Sequence, residues 1–247
     1  HSAVLIPTVL HAMLTARAKV LSNPGVDALR GWQVQADDPA LASQPAALQA
    51  GVWYGAALAA SRLREPDQAR VQLERLKKRV GQDPEAATQV RWLGMELALA
   101  AGDVARQRQF AAGGDGTQSA WPGALRRPEL LLQAQVAVQS GQGDALNQAA
   151  QQLQTWVSRE PLDAMAWQTL ANLYAAQGRS LRALRAEAEA RVAHLDHAGA
   201  LDRLKGAQDR LRGLDHANSS ADHIDASIID TRRRQIEALL REQALER

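Results

Sequence analysis

The sequence has no cysteine, one phenylalanine, two tyrosines and only five isoleucines in 247 residues. Lack of cysteine excludes a disulfide framework, a zinc–thiolate site and a thiol nucleophile. Scarcity of aromatic and β-branched residues argues against pleated sheet, which those side chains fill. An excess of one charge is also missing. Twenty-nine Lys and Arg face 27 Asp and Glu, and the net charge of +2 is too small to form an electrostatic footprint for nucleic acid. The longest apolar run near the start, residues 3 to 6, ends at Pro7. It is too short for a membrane span or a signal core, so no transmembrane segment is expected.

About a fifth of the chain is alanine, and Leu, Gln, Arg and Glu supply much of the rest, all strong helix formers. An all-α fold is therefore expected. The sequence opens on His1 rather than Met, which predicts a piece of a longer protein, and the apolar stretch 3 to 14 suggests a surface that lies on an absent domain. Apolar periodicity, with proline, glycine and capping residues as boundaries, predicts helices at about 7–21, 24–34, 45–63, 66–80, 84–101 and 103–111. After a break at 112–128, rich in Gly and Pro, further helices are expected at about 129–140, 144–158, 162–177, 180–196, 199–212 and 220–246. Ser219 with Asp222 suggests a capping box for the last of them, along which Ile224, Ile228, Ile236 and Leu239 fall at helical spacing.

Hairpin after hairpin implies a repeat. A tetratricopeptide unit places a large residue at position four, Leu at seven, a small residue at eight, Tyr at eleven and small residues at twenty and twenty-seven, because two helices touch at the small positions. A unit begun at Ala164 supplies Trp167, Leu170, Ala171, Tyr174, Ala183 and Ala190 in those roles, with Gly178 in the turn. One 34-residue step earlier stand Ala137 and Ala149, with Leu153 and Pro161 also in phase. Trp53, Ala57, Ala69 and Leu73 form a third match, and 88–111 a degenerate fourth around Gly102. The expected architecture is a right-handed tetratricopeptide-like α-hairpin solenoid in a single domain over 1–247. It comprises N-terminal capping helices at 1–44, a repeat pair at 45–111, a loop insertion at 112–128, a second repeat pair at 129–197 and a C-terminal cap at 198–247. In such a solenoid the first helix of each unit lines a concave face. Tyr54, Leu58, Arg62, Ala134, Val138, Met165, Gln168 and Asn172 are the residues expected to line it and bind a partner.

Further likeness lies in the opening His11-Ala-Met-Leu-Thr-Ala-Arg-Ala-Lys-Val-Leu21, in Tyr54-Gly-Ala-Ala-Leu58 followed by Asp67-Gln-Ala-Arg70, in Ala198-Gly-Ala-Leu-Asp202, and in the closing stretch from Asp225 to Leu240. In their order and spacing the chain resembles the C-terminal repeat domain of periplasmic β-barrel assembly-enhancing proteases, zinc metallopeptidases of the HtpX-like class. The resemblance implies a periplasmic scaffold that binds unfolded barrel substrates or outer-membrane barrel-assembly components and packs on its own protease domain. An alternative is a regulatory domain that only shields or gates that protease. The H-E-x-x-H helix of the class is not in this sequence. Zinc is therefore expected in the protease domain outside this chain, with no cofactor, metal site or catalytic residue here.

Other candidate chemistry is weak. His194 and His197 share a helix face but are only two ligands, so a solvated helix terminus is expected there, and Asp215, His216, Asp222, His223 and Asp225 lack regular spacing, so capping or solvated polar side chains are expected. Gly113-Gly114-Asp115-Gly116 has neither a preceding strand nor the Lys-Ser/Thr of a phosphate loop. The basic segment Arg62, Arg64, Arg70, Arg75, Lys77, Lys78 and Arg79 reads as a solvated face opposite Ala69, Leu73, Leu76 and Val80, and the triplet Arg232, Arg233, Arg234 likewise. Gln168 stands where a carboxylate-clamping repeat would have Lys, although Asn172 fits.

Overall fold

In a computed structural model, which describes residues 8–80, 83–111, 126–213 and 220–245, the described residues form twelve α-helices and one 3-10 turn, with no strand among them. The chain divides into two compact units, residues 1–124 and 125–247. The division falls within the stretch assigned above to a loop insertion, of which 112–125, including Trp121, lies outside the described residues.

The first unit contains α1 (Val9–Ser22), α2 (Val26–Asp37), the 3-10 turn Pro39–Ser43, α3 (Ala46–Arg62), α4 (Pro66–Val80), α5 (Pro84–Ala101) and α6 (Val104–Ala111). Its centre is α3, which packs against α1, α2, α4 and α5. Apolar all round, this helix is buried over most of its length, including the run from Tyr54 to Ala60. Close approach depends on its small residues. A Cβ on Gly51 would sit 3.1 Å from the carbonyl oxygen of Ala12 on α1, and one on Gly55 would run into the ring of Trp32 on α2. By contrast α4 is two-faced: Ala69, Gln72, Leu73, Leu76 and Val80 are buried, while all seven basic residues of the segment from Arg62 to Arg79 are exposed. The solvated-face reading of that segment therefore matches the packing.

The second unit contains α7 (Arg127–Ser140), α8 (Gly143–Arg159), α9 (Ala164–Ala176), α10 (Ser180–Ala193), α11 (His197–Gly213) and α12 (Ser220–Leu245). Consecutive helices pack against one another, and α7 also meets α9, as α10 meets α12. One core joins α7, α8 and α9 to Ala183 and Ala186 of α10. Another joins Leu181 and Ala188 of α10 to Ala200, Leu204 and Ala207 of α11 and Ile229 and Ile236 of α12. Helix α10 thus feeds two cores from different sides, which its small alanines permit.

Among the described residues five connections have one form: a residue with positive φ, then a new helix two residues on. They are Arg64, Gly102, Gly141, Gly178 and Leu195. At Gly178, for example, Arg179 N–H donates to Tyr174 O at 2.8 Å, satisfying a carbonyl that the helix end leaves open. The 34-residue step relates the buried alanines Ala137 and Ala171, and Ala149 and Ala183. It does not relate the turns, since Gly141 and Gly178 stand 37 residues apart: α7 ends three residues after Ala137, whereas α9 continues five beyond Ala171.

The final helix does not bury the stripe that its isoleucine and leucine spacing predicts. Its buried stripe is Asp225, Ile229 and Ile236, while Ile224 and Leu239 are exposed and Ile228 is half-buried. Arg232 and Arg233 are not a solvated face either. Arg232 pairs through two nitrogens with Glu189 of α10, each contact 2.8 Å, and Arg233 pairs with Asp230 and Glu237. The Arg233 pairs lie within α12, whereas Arg232–Glu189 and Arg182–Asp225, the latter at 2.8 Å, fix which side of α12 meets α10.

Candidate groove in the second unit

A cavity of about 550 Å3 opens between α8, α9, α10 and the N-terminal half of α12. Val157, Leu170 and Ala186 give it apolar walls, Trp167 and Tyr174 of α9 add aromatic surface, and Ile224 and Ile228 of α12 contribute the outer edge. Ile224 is 59% exposed at this edge. Gln154 Nε2 donates to the Tyr174 hydroxyl, so the phenol is anchored to α8. Burial pushes that phenol above its ordinary pKa, while the guanidinium groups of Arg182, Arg185 and Arg179 pull the other way. Arg185 and Ile228 also line a second cavity of about 370 Å3, with Ser227, Thr231, Gln235 and the Glu189–Arg232 pair, so the two spaces adjoin along the α10–α12 cleft.

The wall formed by the α8–α9 connection is held by Asp163. Its carboxylate caps α9 by accepting from Ala166 N–H at 3.1 Å, accepts from Arg127 Nε at 2.6 Å and Nη2 at 2.8 Å, and accepts from Trp156 Nε1 at 2.9 Å. The Arg127 hydrogen bonds, with the indole and the backbone amide, outweigh burial and lower its pKa to about 2. Trp167 is fixed beside it, donating from Nε1 to Pro161 O at 2.9 Å.

The residues expected to line a concave face are divided by the structure. Met165, Gln168 and Asn172 are exposed on α9, and Gln168 lies 3.5 Å from Asn172; Arg62 is exposed at the end of α3. Val138 is half-buried against the first core of its unit. Tyr54, Leu58 and Ala134 present no side chain to a partner, because each is buried inside its unit at 2% exposure or less. Tyr54 instead joins three helices: its hydroxyl accepts from Arg17 Nη1 of α1 at 3.3 Å, and Arg17 also donates to both Glu96 oxygens of α5, at 2.7 and 3.3 Å. Burial raises the Tyr54 pKa. Burial disfavours the Arg17 charge, yet the hydrogen bonds and charge interactions with Glu96 and Tyr54 together more than offset it and the net shift is upward.

His194 is exposed, and His197 Nδ1 lies 3.2 Å from Gln243 Nε2 of α12. Among the described residues no three His, Asp or Glu side chains are grouped as metal ligands. Asp215, His216 and Ser219 lie outside the described residues, as does 113–116, and Asp225 is spent on Arg182. Among the described residues no helix is long and apolar enough to cross a membrane.

Sequence reasoning placed Trp167, Leu170 and Tyr174 in the core of a repeat and missed that their outer edges wall a groove. Arg182 and Arg185, three residues apart on α10, were the available signal. The chain matches no protein-family model and no curated protein.

Proposed function

We propose that the chain is a protein-interaction module of tetratricopeptide-like hairpins, the non-catalytic repeat part of a periplasmic zinc metallopeptidase. In this reading it binds unfolded outer-membrane barrel proteins or barrel-assembly components and docks on the protease domain, which supplies the zinc and the hydrolysis. The observation that carries the binding role is the groove beside α9. Aromatic and aliphatic walls with a polar rim, held open by fixed helices, suit side chains of another polypeptide. The repeated helix, positive-φ residue and helix connections support the hairpin reading, because stacked hairpins expose long grooves.

The test is direct binding of the purified chain to a urea-unfolded barrel protein diluted into buffer and, separately, to the protease domain. Ile224→Asp and Ile228→Asp place charge on the outer edge of the groove without touching a buried core residue, and barrel binding should weaken about tenfold or more. Binding of the protease domain alone would instead make the chain an intramolecular regulator. Failure to bind either partner would end the proposal.

A further inference from the structure

Along the cleft between α10 and α12, the charges of the lining residues are almost matched. Arg182 is paired with Asp225 and Arg232 with Glu189, while Arg185, between them in sequence and lining both cavities, has no ion pair among the described residues. Its Nε–H is shielded from solvent and has no acceptor. A guanidinium always carries its charge, and leaving donors unmet in a desolvated place costs free energy that an incoming carboxylate recovers. The surplus in this cleft is one positive charge, located at Arg185. On one side the space is apolar and aromatic, with Trp167, Leu170 and Ile224; on the other it is polar, with Ser227, Thr231 and Gln235. Because the cavities adjoin at Arg185 and Ile228, a chain is able to continue past the arginine rather than end there.

Resting on the reading of this groove as a polypeptide site, we infer that its occupant is an internal segment of a partner protein. The segment places an apolar side chain against Trp167 and Leu170, and a neighbouring Asp or Glu side chain on Arg185. The apolar pocket supplies affinity and the arginine selects the acidic residue, since a charge-assisted pair in a partly desolvated cleft is stronger than a neutral contact.

The test uses fluorescently labelled dodecapeptides, acetylated and amidated at their ends. Each carries one Leu or Phe and one Glu separated by one to three residues, and each has a counterpart with Gln in place of Glu. Wild-type chain should bind at least one Glu peptide about tenfold or more tightly than its Gln counterpart. Arg185→Gln should erase that preference, Arg185→Lys should keep part of it, and unchanged melting midpoints would show that both variants are folded. In NMR spectra of the complex the Arg185 side-chain Nε–H resonance should move with the Glu peptide and stay with the Gln peptide. Equal binding of Glu and Gln peptides, with saturable affinity for both, overturns the acidic selection and leaves the interaction module standing. A preference only for an uncapped C-terminus overturns the internal-segment assignment. No binding of any peptide, with no binding of unfolded barrel protein, overturns both readings.

Discussion

Arg127 and Asp163 meet side by side, two guanidinium nitrogens on two carboxylate oxygens at 2.6 and 2.8 Å, and so fasten the first turn of α7 to the N-cap of α9. The same carboxylate holds the α9 backbone and the Trp156 indole, so four donors depend on one side chain. Protonation would take away its charge-assisted bonds to Arg127 and weaken the other two.

Asp163 therefore sets an acid limit on the second unit. Its folded pKa of about 2 is below the ordinary 3.8, so its contribution is complete above about pH 4 and is lost as the pH falls toward 2. A shift of this size corresponds to ~2 kcal/mol. Asp163→Asn should cost about that much at pH 7 and progressively less between pH 4 and 2. Urea unfolding of both proteins across that range measures the difference, and a constant gap would show that the ion pair contributes nothing.

Gly55 lies where Trp32 covers α3. Gly55→Ala gains helix propensity of about 1 kcal/mol, but its methyl group would collide with the indole, and overpacking costs typically ~1 to 3 kcal/mol. Net destabilisation and a displaced Trp32 fluorescence signal are expected. A rise in melting temperature would show that the ring moves aside freely.

Leu195 closes α10 with φ of 62° and is 78% exposed. An L-residue with a side chain pays about 1 kcal/mol for this conformation, and no burial is lost on removing the side chain. Leu195→Gly should stabilise by ~0.5 to 1 kcal/mol, read from thermal and urea melts. Gly178→Ala, at the equivalent place after α9, should have the opposite sign.

Ala183 and Ala171 are buried within the first core of the second unit. Replacement of either by Leu should destabilise by ~1 to 3 kcal/mol, whereas Met165→Gln on the exposed side of α9 should change stability little. Equal melting midpoints for Ala183→Leu and the parent chain would show that α9 and α10 do not approach closely there.

The helices and their limits follow from the sequence because their signals are local. Asp83 accepts from the backbone N–H of Glu85 and Ala86 at the start of α5, Gly102 takes the left-handed conformation that ends it, and α4 separates its leucines from its charges. Each of those outcomes is decided within a turn or two of chain. Only tertiary contacts decide the side on which an ambiguous helix is buried. Helix α3 is apolar all round, so nothing local distinguishes Tyr54 at a partner surface from Tyr54 beneath Arg17 and Glu96. In α12 both Ile228 and Ile229 fit helical spacing, and the Arg182–Asp225 and Arg232–Glu189 pairs turn Ile229 inward. Those partners are 43 residues apart in sequence, and their meeting leaves Arg185 without a carboxylate. The groove exists for the same reason: its residues come from four helices, and a cavity is a property of the space between elements rather than of any one of them.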